Sequence, residues 1–171
     1  CDVILHGALI DDAALEGIAA KGLWYMPTLY ITSEKAREEH NWPAYMSEAM
    51  KATHPIHCAG VAKAHRMGIK IAAGTDGGPG SIMDEMRLLV GCGLPPMDAV
   101  VTATRNTADA LGILDTTGTL EVGKRANLFV VDGDPLQDIT ALSSQGAISL
   151  VMKDGSIQPT GDFDPNRTTS T

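Results

Sequence analysis

The apolar positions change period several times along the chain, and each change marks an element. Val3-Ile4-Leu5 is a short β run that ends on His6-Gly7. Beyond it Leu15, Ile18 and Ala19 share a helical face, Asp11 or Asp12 offers a cap oxygen, and Gly22 stands where a left-handed C-terminal residue is wanted. Residues 23–31 read as a strand interrupted by Pro27, which cannot donate to a sheet ladder and bends the segment toward the carboxyl end. Met46, Met50, His57, Val61 and Ala64 recur at helical spacing up to Gly68, with a kink at His54-Pro55. A second β run, Ile69-Lys70-Ile71-Ala72-Ala73, leads through Gly74-Thr75 to Asp76 and a glycine-rich loop. Helices over 83–90 and from Pro96 to Leu111 follow, the second ended by Gly112.

This β-α-β-α-β-α order predicts an α/β unit with parallel strands and covering helices over residues 1–112. From Thr119 the pattern changes. Residues 127–132 and 148–152 are β runs, and Lys153-Asp154-Gly155-Ser156 is a hairpin signal, so a small sheet is expected within 113–159. The polar stretch 33–43 is expected as a loop or short helix over the mouth of the site, and 160–171 as a disordered tail.

Composition narrows the function classes. Across 171 residues, 44% hydrophobic content and a mean hydropathy of +0.01 describe a globular chain with a sizeable core. A net charge of −8 leaves no basic stripe for phosphates, which excludes nucleic acid as a partner. No apolar run approaches ~20 residues, so no membrane partner is expected. Cys1, Cys58 and Cys92 are odd in number and widely spaced, which predicts thiols and not a disulfide framework, and favours a reducing, cytoplasmic compartment. Cys1 is an unusual first residue, so upstream sequence is expected.

The candidate chemistry sits at two strand ends. His6 and Asp76 offer imidazole nitrogen and carboxylate oxygen, the pair a divalent transition metal prefers, at the carboxyl ends of strands where parallel α/β folds place their sites. For Asp76 alone, a capping role in a loop remains open. His54 and His57, three apart on the kinked helix, are expected to be structural, as are His65 and His40. Gly77-Gly78-Pro79-Gly80-Ser81 lacks the lysine and spacing of a P-loop and reads as a substrate-facing loop.

Taken in order, several segments resemble the C-terminal part of a metal-dependent amidohydrolase of the imidazolonepropionase-like or prolidase-like kind. They are His6-Gly7 with Leu9-Ile10-Asp11-Asp12; Met26-Pro27-Thr28-Leu29; Gly68-Ile69-Lys70-Ile71 into Gly74-Thr75-Asp76; Thr104-Arg105-Asn106-Thr107-Ala108; and Gly118-Thr119-Leu120-Glu121-Val122-Gly123-Lys124. The resemblance implies about the last three βα units of a TIM-like (β/α)8 barrel plus part of a small β-sandwich. It implies that His6 and Asp76 are metal ligands, that Asp76 also shuttles a proton, and that Thr28, Tyr30, Gly77 and Gly78 face the substrate. The cofactor implied is a divalent metal, zinc by default, one or two ions in the complete barrel. The reaction implied is hydrolysis of a C–N bond in an amide, cyclic amide or dipeptide by metal-activated water.

The family's first-strand His-x-His pair, its fourth-strand bridging residue and its fifth-strand histidine have no counterpart here. The isolated chain is therefore expected to be inactive, with a missing N-terminal barrel half or another copy of itself as partner besides a small-molecule substrate. Two alternatives stand beside this: a non-catalytic fragment or structural half, and a lactonase or phosphoesterase of the same fold.

Overall fold

The computed structural model describes residues 2–78, 80–143 and 146–159. The tail expected over 160–171, Cys1 and Pro79 lie outside them. Two sheets organise the rest. The first is parallel, β1 (Val3–Leu5), β2 (Trp24–Met26) and β3 (Lys70–Ile71) in that spatial order, with Val3 opposite Trp24 and Tyr25 opposite Ile71. The second is antiparallel, β4 (Leu128–Val131), β5 (Ile148–Lys153) and β6 (Ser156–Gln158).

The helices follow from local chemistry. Asp11 caps α1 (Asp12–Ala20) by accepting from Ala14 N–H at 2.8 Å, and Gly22 leaves it at φ +61°. The polar stretch after Ser33 forms α2 (Glu34–His40), which Asn41 ends at φ +46°. The long α3 (Ala44–Arg66) carries Pro55 inside it and buries His57, Val61 and Ala64. Then come α4 (Ile82–Gly91), α5 (Pro96–Val101) and α6 (Thr107–Ala110).

Where one helix was expected from Pro96 to Leu111, a π segment, Thr102–Asn106, separates α5 from α6. In this widened turn the Thr102 carbonyl accepts from Ala73 N–H (3.0 Å) and from the Thr107 hydroxyl (2.7 Å), while Asn106 Nδ2 donates to the Ile71 carbonyl (2.8 Å). The Thr-Arg-Asn-Thr motif thus fastens the chain leading to Asp76 by side-chain hydrogen bonds, because the ladder of β3 stops at Ile71. Such widened turns recur at functional sites.

Two further expectations fail. The strand expected over 23–31 stops at Met26: Pro27 has no N–H, Thr28 turns left-handed at φ +57°, and Leu29–Thr32 forms a 3-10 turn. The cysteines are not all thiols. Cys58 on α3 and Cys92 just after α4, 34 residues apart in the chain, form a disulfide with Cα atoms 5.2 Å apart. That bond removes the ground for a reducing compartment. Among the described residues, no helix is long and apolar enough to cross a membrane.

Leu15, Ile18, Tyr25, Leu29, Val61 and Leu89 centre the core, between the parallel sheet and its helices.

Candidate active site

Each parallel strand runs out into a left-handed residue that is not glycine: His6 after β1 (φ +65°), Thr28 after β2 (φ +57°) and Asp76 after β3 (φ +52°). Such backbone costs of order 1–3 kcal/mol per residue and persists where the surroundings over-determine it. At His6 the surroundings are the continuing ladder, His6 N–H to the Met26 carbonyl at 3.0 Å, and then Gly7 at φ +72°, where an added Cβ would meet the Tyr25 ring at 3.2 Å.

The three turns bring their side chains together. His6 Nδ1 lies 2.9 Å from the Thr28 hydroxyl and 4.0 Å from Asp76 Oδ2. Thr28 spends its own proton on the Pro27 carbonyl, 2.6 Å away, so it can only accept from His6 Nδ1–H. In that arrangement a neutral His6 ring would carry its proton on Nδ1 and leave Nε2 as the lone pair. The His6 and Asp76 side chains are each more than half exposed, whereas Thr28 is buried.

The other residues expected at the substrate face sit differently. Tyr30 is buried at 1% exposure and its hydroxyl donates to Glu39; burial and that carboxylate push its pKa upward. It packs on the third strand end, since a Cβ on Gly77 would come within 2.5 Å of its ring, so Tyr30 braces that end. Gly78 is exposed and a Cβ there would meet nothing. Among the described residues no third His, Cys, Asp or Glu joins His6 and Asp76 into a metal-holding group.

Beside the exposed pair lies a buried polar layer in which His57, expected to be structural, joins Glu85 and Thr32, which the sequence did not single out. Glu85, on α4 and fully buried, accepts from Leu29 N–H (2.9 Å) and Tyr30 N–H (2.7 Å); burial pushes its carboxyl up to about 8, against the pull of those two bonds. His57, also fully buried, faces the backbone of Pro27 and His6 and is held down at about 4 by burial and by His54. Thr32 joins them: its hydroxyl donates to the Leu29 carbonyl and meets His54 Nδ1 at 2.9 Å. A signal for Glu85 was present, because it shares the apolar stripe of Ile82 and Leu89 on α4.

The family model of the amidohydrolases matches residues 2–157. The chain belongs to the amidohydrolase family. Ochratoxinase of Aspergillus niger is 27% identical over 167 residues, covering 92% of this chain and 34% of its own length. Imidazolonepropionase of Mesorhizobium japonicum is 41% identical over 73 residues, 39% of this chain and 18% of that one. Among solved structures, a Xaa-Pro dipeptidase with bound methionine in its active site superposes with a TM-score of 0.79 at 32% identity, over 92% of this chain and 39% of that one. This amidohydrolase chain thus spans about a third of the ochratoxinase and about two fifths of the dipeptidase.

Proposed function

We propose that this chain is the C-terminal part of a (β/α)8-barrel hydrolase, about its last three βα units and part of a small β-sandwich, that cleaves C–N bonds in amides, cyclic amides or dipeptides with a bound divalent metal. The observation that carries this is the pair at the strand ends, the His6 imidazole and the Asp76 carboxylate, 4.0 Å apart from Nδ1 to Oδ2. Nitrogen and carboxylate donors of this kind fit zinc, and two of them are fewer than the three protein ligands a catalytic zinc takes. The remaining ligands would come from strands preceding this chain.

His6 and Asp76 would hold a divalent ion, which when bound would supply Lewis-acid polarisation and acidify water. The residues of the chain do the rest. Thr28 holds the His6 tautomer. Asp76 takes a proton from the attacking water and returns it to the leaving nitrogen, and Gly78 leaves the mouth open to the substrate. The likeness to a Xaa-Pro dipeptidase favours a dipeptide-like amide.

An apolar groove of about 680 Å³ between the α5–α6 segment and β4, lined by Met97, Val100, Leu111, Leu128 and Phe129, is a surface for the rest of the barrel or a second copy to cover. The isolated chain is expected to hold metal weakly and to hydrolyse nothing.

In the full-length protein, His6→Ala should lower bound metal per barrel while far-ultraviolet circular dichroism stays broadly unchanged. Unchanged metal stoichiometry in the folded variant would overturn the ligand assignment. A panel of amides, lactones and phosphoesters tests the bond: preference for a lactone or phosphoester replaces the C–N reading.

A further inference from the structure

The 3-10 turn Leu29–Thr32 has an unusual cap. Thr28 occupies the position from which a threonine hydroxyl ordinarily reaches the first free N–H groups of a helix, yet its side chain makes no cap bond. Its hydroxyl is engaged instead by the Pro27 carbonyl and His6 Nδ1. The two N–H groups left over, those of Leu29 and Tyr30, are taken by the two carboxylate oxygens of Glu85, 56 and 55 residues further along the chain.

We infer that Glu85 is a positioning residue that sets the tautomer of His6. Glu85 caps the turn in place of Thr28. That leaves the Thr28 hydroxyl to hold the proton of His6 on Nδ1, and so keeps Nε2 open. If the carboxyl is removed, two buried N–H groups lose their acceptor, and the Thr28 hydroxyl is the nearest replacement for that of Tyr30 once the Thr28 backbone turns from left-handed to extended. Recruiting it would take the partner of His6 away.

The arrangement also spans two strand ends. Glu85 belongs to the helix that follows the Asp76 loop, and the residue whose N–H it holds, Tyr30, has its ring against Gly77. One buried carboxylate therefore fixes the turn after β2 and, through it, touches the settings of the residues after β1 and β3. Packing alone would not require both oxygens of one buried carboxyl to accept from consecutive N–H groups; a buried carboxyl with both oxygens committed is a costly element that here has a stated use.

The inference deepens the proposal that His6 is a ligand through Nε2, but its test needs neither metal nor substrate. In metal-free full-length protein labelled with ¹⁵N-histidine, the ring signals of His6, assigned by their loss in His6→Ala, should show the Nδ1–H tautomer. In Glu85→Gln, which can satisfy one N–H and opposes the other with an amide donor, they should shift toward Nε2–H. Thr28→Val should give the same shift with Glu85 intact, and Thr28→Ser should keep the wild-type pattern. Should Glu85→Gln fail to fold, Glu85→Asp, which draws the carboxylate back by one methylene, should show a partial shift.

A His6 that is Nε2–H in the wild type, or a folded Glu85 variant with lowered melting temperature and unchanged His6 signals, would overturn the inference. Neither result would touch the metal reading, which stands or falls on bound metal in His6→Ala.

Discussion

Both sheets lead into non-glycine residues at positive φ, and the contrast between them sets the proposed site apart from ordinary turns. In the antiparallel sheet Asp154, at φ +50°, sits with Gly155, at φ +78°, in a two-residue hairpin whose twist demands left-handed backbone at both places. Asn41, at φ +46°, ends α2 in the same locally required way. No turn type demands His6, Thr28 or Asp76 at the ends of the parallel strands. Their backbone is held by long-range contacts, the ladder bond of His6 to Met26, the Glu85 cap after Thr28 and the Tyr30 ring against the Asp76 loop. Left-handed backbone that local chemistry explains is a turn. Where tertiary contacts enforce it at a strand end, it aims a side chain.

The sharpest way to break this comparison is to exchange the two kinds of aspartate. In the full-length protein, on the proposed role of Asp76, Asp76→Asn should cut kcat about 100-fold or more, the scale lost with general acid–base help. Steady-state kinetics with metal still bound check this, and near wild-type turnover would end the assignment.

The buried layer supplies the next largest effect. Glu85 has its pKa raised from 4.5 to about 8, so the stability it contributes is fully present below pH 4.5 and falls as pH rises through about 8. His57, lowered from 6.5 to about 4, acts in the opposite sense: its contribution is present above pH 6.5 and is lost as pH falls through about 4. From pH 6.5 upward the Glu85 dependence should stand alone in denaturant melts, and Glu85→Gln should flatten it. A wild-type chain whose stability rises with pH over that range would contradict the assignment.

Smaller effects separate the two loop glycines. Gly77→Ala places a Cβ 2.5 Å from the Tyr30 ring and should destabilise by about 1–3 kcal/mol, with loss of turnover as the Asp76 loop shifts. Gly78→Ala meets nothing and should change stability by less than about 0.5 kcal/mol. Equal effects from the two would refute the bracing role of Tyr30. Least of all should come from Asp154→Asn, which keeps a residue tolerant of left-handed backbone and should leave kcat untouched.

Much of this was legible along the chain. The period-two and helical runs, the Asp11 cap, Gly22 and Gly112 at helix ends, and the Asp154-Gly155 turn are decided by contacts within a few residues, so short-range patterning reports them. The same patterning misjudged residues 27–31. Pro27 was visible as a break, but the 3-10 turn beyond it exists because a carboxylate on another helix caps it. The single helix expected after Pro96 is divided by a π segment for a similar reason, since Asn106 and Thr107 bond to the backbone of the Asp76 strand and that strand is 34–35 residues away.

The sequence by itself determined which residue types stand at strand ends and in what order, and those types, His6 and Asp76 above all, made metal-assisted hydrolysis the expectation. Only the tertiary structure decided that His6 and Asp76 lie within 4.0 Å of each other, that Thr28 serves His6, that Tyr30 turns inward, that Glu85 stands in for a missing cap, and that Cys58 meets Cys92. Propensity and period act over one or two turns of chain, whereas these pairings join residues from 22 to 70 positions apart and form only when the helices have packed against the sheet.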